Sequence, residues 1–276
     1  GVIMITTKRG SQALSASFNS YIGVSQLRKK LDVLSAEQYR QVQQENDFSF
    51  DFGNNTDWQD EVYRNALTQN YDLSFSGGNE VTNYRFSFNT MNQDGIVDEA
   101  EFNRYSGRLV VDQRALKDRL KIGLNVDFSN TRDDQNNSNI IIQTLGANPT
   151  RPVRNEDGSP ISDFDFTSPL AQLEYNSDFT QTDRLLANLT AEMEIVEGLY
   201  YKMNFGVDHV NSNRKINESR ELISFIDGLA QISNRRLNSL LIEQFVTYDK
   251  AWSNQHFLNA LGGYSYQKFK SEDNYV

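Results

Sequence analysis

Four carboxylates crowd one short stretch of this 276-residue chain: Asp51, Asp57, Asp60 and Glu61. A pair of carboxyl groups held about 5–10 Å apart can hydrolyse a glycoside. The same residues also suit helix starts, where acidic side chains cap free amides and meet the positive end of the macrodipole. That structural account covers all four. Asn155-Glu156-Asp157-Gly158 looks like the opening of a calcium loop, but no spaced ligand series or distal Glu follows. Turn chemistry explains it. His209 and His256 are the only histidines and there is no cysteine, so no zinc set can be assembled. No G-x-S-x-G elbow is present. The chain therefore reads as a non-enzyme, with no metal and no cofactor.

What remains is chemistry of recognition. Arg151, Arg154, Phe164, Phe166, Tyr175 and Phe179 share one long connection. Rings stack on sugars or fill interface pockets, and Arg and Tyr often carry interface energy. These six are candidates for contact with a substrate or a partner. The competing reading is that they pack the connection against itself.

The elements that would hold them are strands. Leu14, Ala16, Phe18, Ile22 and Val24 share one parity, while Ser15, Ser17, Asn19, Tyr21 and Ser25 take the other. A helix would mix these sets, whereas a strand puts them on opposite faces. Leu120, Ile122, Leu124, Val126 and Phe128 likewise alternate with Lys121, Asn125, Asp127 and Ser129. Further runs begin near Tyr71, Tyr84, Tyr105, Leu185, Leu199, Asn238 and His256. That makes about nine strands, most of ten or more residues. Soluble strands average about 5–6 residues, and membrane strands need about 9–11.

Connections alternate in length. Tight turns fall at 77–80, 116–118, 196–198 and 252–255, and longer links at 27–70, 92–101, 130–182 and 211–235. Barrels of the outer membrane have short turns at one end and long loops at the other. In the first long link, Ser35 with Gln38 and Thr56 with Gln59 have capping-box spacing, which predicts helices over 36–45 and 57–65. The expected fold is all-β: part of an up-and-down antiparallel transmembrane barrel, about nine strands of a larger one, with two short helices in the first external loop. Of the alternate polar residues, Asn125, Asp127, Asn188, Thr190, Glu192 and Lys202 are expected to face the lumen.

Composition agrees. Mean hydropathy is −0.63, which a barrel wall tolerates because half its side chains face water. The apolar runs, such as Ile140-Ile141-Ile142, fall far short of the about 18 residues a membrane helix needs. A net charge of −10 argues against nucleic acid as a partner, which would want a basic stripe.

Several segments resemble the SusC/RagA family of TonB-dependent outer-membrane transporters. Residues 1–10, GVIMITTKRG, look like the strand that ends that family's plug. Leu31-Asp32-Val33-Leu34-Ser35-Ala36-Glu37-Gln38-Tyr39 and Thr56-Asp57-Trp58-Gln59-Asp60-Glu61-Val62 are similar to its first-loop helices. Ser76-Gly77-Gly78-Asn79-Glu80, Thr82-Asn83-Tyr84 and Asn92-Gln93-Asp94-Gly95 match its first hairpin region. Asn148-Pro149-Thr150-Arg151-Pro152-Val153, Asp157-Gly158 and Ser168-Pro169-Leu170-Ala171 look like its long external loop. The resemblance implies residues 1–10 as the end of a plug and residues 13–276 as the first part of a barrel, the chain being an internal piece of the whole. It also implies outer-membrane lipid around the wall, a SusD-like lipoprotein partner, the TonB complex, and import of oligosaccharides or peptides. The rival reading is a soluble all-β carbohydrate-binding or adhesion module. The two differ in sidedness, since a soluble module buries its apolar parity and a membrane barrel exposes it.

Overall fold

The computed structural model describes residues 10, 12–48, 50–135, 139–163, 165–222, 227–253 and 256–276. The expectations for residues 1–9, for Phe164 and for the tip of the turn at 254–255 lie outside the described residues. The strands are β1 (Ser15–Ser25), β2 (Ala66–Gly78), β3 (Thr82–Asp94), β4 (Glu101–Ala115), β5 (Leu120–Asp134), β6 (Ser162–Asp163), β7 (Phe166–Thr167), β8 (Asn176–Val196), β9 (Leu199–Glu218), β10 (Leu229–Ser253) and β11 (His256–Tyr275). The helices are α1 (Ala36–Glu45), α2 (Trp58–Val62), α3 (Ile140–Gly146) and α4 (Pro169–Tyr175).

Nine strands form one antiparallel sheet in the order β1-β2-β3-β4-β5-β8-β9-β10-β11. Each pairs with its neighbours along the chain, so the meander is up-and-down. Strands β6 and β7 form a separate small hairpin in the link between β5 and β8. Among the described residues the longest helix has ten residues, and no helix is long and apolar enough to cross a membrane.

Register separates the faces. Gly77, Tyr84, Val111, Leu124, Leu189, Phe205, Ile242 and Tyr266 stand opposite one another in turn from β2 to β11. One residue along, the row reads Gly78, Asn83, Asp112, Gly123, Thr190, Asn204, Glu243 and Ser265. One face is apolar, its neighbour polar.

Burial is inverted with respect to a water-soluble fold. On the apolar face Phe18 is 64% exposed and Phe75 and Phe86 are 42% and 43% exposed, whereas Ser74 and Ser76 on the polar face are 2% and 4% exposed. The apolar stretch on β5 runs from Leu120 to Phe128. Nine residues rising about 3.3 Å each extend roughly 26 Å, and tilting shortens the projection somewhat. This approaches the apolar band about 25 Å tall that outer-membrane barrels present to lipid.

The three tight sheet connections that fall within the described residues, at 79–81, 116–119 and 197–198, lie where expected. At 116–119, Leu116, Lys117 and Asp118 all adopt positive φ (54°, 55° and 68°). Gly198 closes the β8–β9 turn at φ 79°. A side chain there would be strained by that φ and would collide with the Asp249 carbonyl, so the turn needs glycine.

The long links are shorter than the sequence suggests, because the strands run beyond the apolar band. Strand β8 has 21 residues and β10 has 25. On β9 the apolar face changes from Phe205 and Val207 to His209, Asn211 and Asn213. Polar on both faces, this upper stretch alternates too weakly to read as strand from sequence. The first two helices stand where predicted, α1 with the same bounds and α2 shortened. The link between β5 and β8 adds α3 and α4, which the sequence reading left as loop. Ile140-Ile141-Ile142 is β-branched and looks strand-like, yet it opens α3.

Candidate functional site

Two regions hold the candidate residues: a cap built from the long links, and the polar face of the sheet. The cap begins with local signals. Ser35 caps α1 through a complete capping box: its hydroxyl accepts from the Gln38 amide at 3.2 Å, and its own amide donates to the Gln38 side chain at 2.9 Å. The second box differs from expectation. Asp57, not Thr56, is the N-cap of α2, accepting from the Gln59 amide at 3.0 Å. The Thr56 hydroxyl reaches across instead to the Arg151 carbonyl at 2.6 Å. Spacing alone could not show that a tertiary partner would claim it.

The helices are clasped together by side chains. The Gln59 amide group both accepts from Leu31 N and donates to Leu31 O, each at 2.9 Å. Trp58 is 3% exposed, donates to Asn148 O at 3.0 Å and packs against Phe166 at 5.8 Å between ring centres. Val62, Ile140 and Leu173, one from each of α2, α3 and α4, form a small buried cluster joined by Val97. The first and third long links are therefore one folded unit.

The acidic quartet belongs to this architecture. Asp51 accepts from Arg40 Nε at 3.0 Å, and this pairing holds its carboxyl below the usual range. Asp57 and Asp60 both meet Lys30, at 2.7 and 2.5 Å. For Asp57, burial pushes the carboxyl up, but Lys30 and the helix amides outweigh it and the net direction is down. In the 155–158 turn the Asp157 carboxylate accepts from the Ser159 amide at 2.9 Å and hydroxyl at 2.6 Å. Among the described residues no group of three or more His, Cys, Asp or Glu side chains could hold a metal ion.

The candidates for recognition divide. Arg151 is 6% exposed, with its guanidinium 4.0 Å from the Phe52 ring centre and 4.7 Å from that of Phe166, and with bonds to Asp163 at 2.9 Å and Asp165 at 2.8 Å. It ties the first link to the hairpin β6–β7. Phe166 is occupied by Arg151 and Trp58. Arg154 is more open and pairs with Glu174, also donating to Gly158 O at 2.9 Å. Tyr175 ends α4, and burial, with Glu221 and Glu174 nearby, pushes its hydroxyl up. Phe179 stands apart, on β8 with Arg132 4.4 Å and Lys215 5.8 Å from its ring centre. The structure thus brings Arg151 and Phe166 together and leaves Phe179 outside their group.

All six polar-strand candidates share one face. Asn125 is opposite Asn188, and Lys121, Glu192 and Lys202 are consecutive partners across β5, β8 and β9. Asn188 donates to Asn204 Oδ1 at 2.6 Å, Asn204 to Glu243 at 2.8 Å, and Lys121 to Glu192 at 3.0 Å. Thr190 donates to Gly123 O at 3.3 Å, and Asp127 faces Arg108 at 3.5 Å. Gly10 touches this same face near the tight turns, where a Cβ would stand 2.5 Å from the Tyr84 carbonyl oxygen. The sequence reading missed the arginines here. Arg104, Arg108 and Arg184 have the right parity, but only the register shows that they converge.

An antiparallel meander with one polar and one apolar face, the apolar one open at Phe18, Phe75 and Phe86, and tight turns at one end is a piece of barrel wall of the kind that crosses membranes with strands. Comparison with known proteins specifies which kind. A TonB-dependent receptor of Formosa agariphila is 31% identical over 292 residues, covering 99% of this chain and 29% of the receptor. TonB-dependent receptor SusC of Bacteroides thetaiotaomicron is 31% identical over 223 residues, covering 70% of this chain and 22% of SusC. No family model matches the chain. The solved structure of the RagAB peptide transporter superposes with a TM-score of 0.76 at 19% identity, over 98% of this chain and 37% of that one. The RagAB peptide importer in its open-open state gives 0.72 at 18% identity, over 98% and 36%. The chain is a homologue of TonB-dependent receptors of the SusC/RagA kind, and its sheet is part of their barrel. Those homologues are receptors and transporters, not enzymes. The chain spans less than a third of the length of the curated relatives it matches.

Proposed function

We propose that the protein carrying this chain imports oligosaccharides or peptides across the outer membrane, in company with a SusD-like surface lipoprotein and driven by the TonB complex. Residues 13–276 are then the first part of its barrel and residues 1–10 the end of its plug. Asn125, Asp127, Asn188, Thr190, Glu192 and Lys202 line its aqueous lumen, and the exposed Arg154 and the half-buried Tyr175 of the cap offer contact with cargo or lipoprotein. No covalent bond is made or broken. The task is to hold a hydrated passage through hydrocarbon using strands whose backbone groups are all paired.

The observation that carries this reading is the inverted burial, with Ser74 and Ser76 covered while Phe75 and Phe86 lie open. A soluble carbohydrate-binding or adhesion module would cover the phenylalanines, so nothing favours that alternative. The test is deletion of the gene, followed by uptake of labelled oligosaccharides and of labelled peptides by whole cells. Loss of uptake of one cargo class is expected, and the full-length receptor should bring down a surface lipoprotein in detergent. Unchanged uptake of both classes would overturn the reading.

A further inference from the structure

On the polar face, three arginines from two strands that are not neighbours line an open cavity of about 270 Å³. Arg104 and Arg108 come from β4 and Arg184 from β8, with β5 running between them. The floor is made of small hydroxyl side chains, Ser106 and Ser129, which stand opposite each other, with Ser87 at the edge. The cavity sits behind the upper rim of the apolar band, where Phe128 and Leu185 give way on the outer face to Asn130 and Asp183.

Charge at this spot is incompletely matched. Arg184 is clasped by Asp208 at 3.0 and 2.7 Å. Arg108 has only a single 3.5 Å approach to Asp127, the one acidic residue lining the cavity. Arg104 meets no carboxylate within 4 Å among the described residues, and its terminal nitrogen donates to Asn89 Oδ1 at 3.3 Å. The Nε of Arg104 is shielded from solvent and lacks an acceptor, and the shielded Nε of Arg108 has only the 3.5 Å approach to Asp127, which makes no hydrogen bond. A shielded guanidinium N–H without a well-placed acceptor is costly, and the acceptor the group fits best is a planar oxyanion that takes two parallel hydrogen bonds.

We infer that this cavity is a carboxylate site: it receives an acidic group of the cargo as cargo passes from the long-link end into the bore. The serine floor leaves room for the group, and Arg104 and Arg108 supply the unspent donors. The site selects acidic cargo over its neutral counterpart. This inference rests on the import reading.

The test uses the full-length receptor in detergent and the variant Arg104→Gln, which keeps a polar side chain and strands no acidic partner. Four probes are titrated: a short Glu-containing peptide and its Gln counterpart, and an oligogalacturonate and its neutral oligogalactoside counterpart. At least one acidic probe should bind the unaltered receptor about tenfold more tightly than its neutral counterpart, as a charge-assisted bond implies. Arg104→Gln should remove most of that preference and leave neutral binding within about twofold. Which acidic probe binds tells a peptide carboxylate from a sugar carboxylate. Equal binding of acidic and neutral probes, or absence of binding to the unaltered receptor, overturns the site. So does an unchanged preference in a variant with a lowered melting temperature, for then the arginine holds the protein's own chain. Persistent uptake in the deletion strain would defeat the import reading separately, whatever Arg104→Gln does.

Discussion

The cap and the sheet of this chain obey opposite rules of burial. In the cap, Trp58, Val62, Ile140, Ile161, Leu170, Leu173 and Leu222 are sealed from solvent, as in any small water-soluble domain. Among the described residues of the sheet, only Val110 and Ala66 of the apolar side chains are buried, and Ala66 sits at the end of β2 beside the cap. Phe75 and Phe86 instead stand open while Ser74 and Ser76 are covered. One chain is thus written for two solvents. The hydrophobic effect drives a cap in water together, and under the proposed function the sheet can leave its apolar face bare because hydrocarbon would cover it.

The comparison breaks most visibly if the cap's core is emptied. Trp58→Ala removes a ring that seals α2 and donates to Asn148, and large core truncations of this kind cost about 3–5 kcal/mol. Hydrogen exchange should show α2, α3 and the 148–151 segment opening far more often, while protection in β3 to β5 of the full-length receptor stays as it was. If exchange rises equally in the sheet, cap and wall are not separate units.

The wall is tested by a pair of neighbours. Leu124 and Asn125 are adjacent on β5 and point to opposite faces. Leu124→Arg places a charge on the apolar face and should cost about 2–4 kcal/mol in a bilayer, measured by denaturant unfolding in vesicles. Asn125→Arg, on the polar face, should cost less than about 1 kcal/mol. Equal costs would mean that neither face meets lipid.

The same contrast explains what could be read from sequence. Strands inside the apolar band were legible because alternation there is strict: one parity is apolar and the other polar. Leu120 to Phe128 shows it in five successive pairs. Where β9 rises above the band to Asn211 and Asn213, both faces meet water and the signal fades. In the cap, α1 was legible down to its bounds because its capping box is local. The fates of Thr56 and Arg151 were not, because each is settled by tertiary partners: the Thr56 hydroxyl by the Arg151 carbonyl, and the Arg151 guanidinium by the Phe52 ring together with Asp163 and Asp165. Arg151, a candidate for contact with a substrate or a partner, is buried against Phe52 and bonded to Asp163 and Asp165. The arginine cavity was invisible for a related reason, since parity puts each arginine on a face but only register brings β4 and β8 to one spot. Helix α4 carried a readable start that was overlooked: Ser168 caps it, accepting from the Ala171 amide at 3.0 Å, and Pro169 follows in the first turn.

A smaller effect sharpens the cap's own hierarchy. Ser35→Ala removes the capping hydroxyl of α1, where such losses cost about 1 kcal/mol. Because α1 buries only Ala36 and Gln43, the change should fray its first turn without loosening α2. Exchange at the amides of Glu37 and Gln38 would report it. A spread of the effect to Trp58 would show α1 to be part of the core.

The weakest effect is electrostatic, and its pH dependence has a definite sign. Asp57 pairs with Lys30 and caps α2, and its carboxyl is held below the ordinary value of about 4. A carboxylate lowered in the folded state adds stability above its unfolded pKa and loses it as pH falls through the folded one. The pair is half exposed, so screening keeps the contribution to well under about 1 kcal/mol. Asp57→Asn isolates the charge, because asparagine caps a helix as well as aspartate does. At pH 6 the Gln59 amide should exchange somewhat faster in Asp57→Asn than in the parent. Once the pH has fallen through the folded-state pKa, or in concentrated salt, that difference should vanish, since the parent carboxyl is then protonated or its attraction to Lys30 screened. A difference that survives both conditions would assign the stabilisation to cap geometry and leave the ion pair without a measurable share.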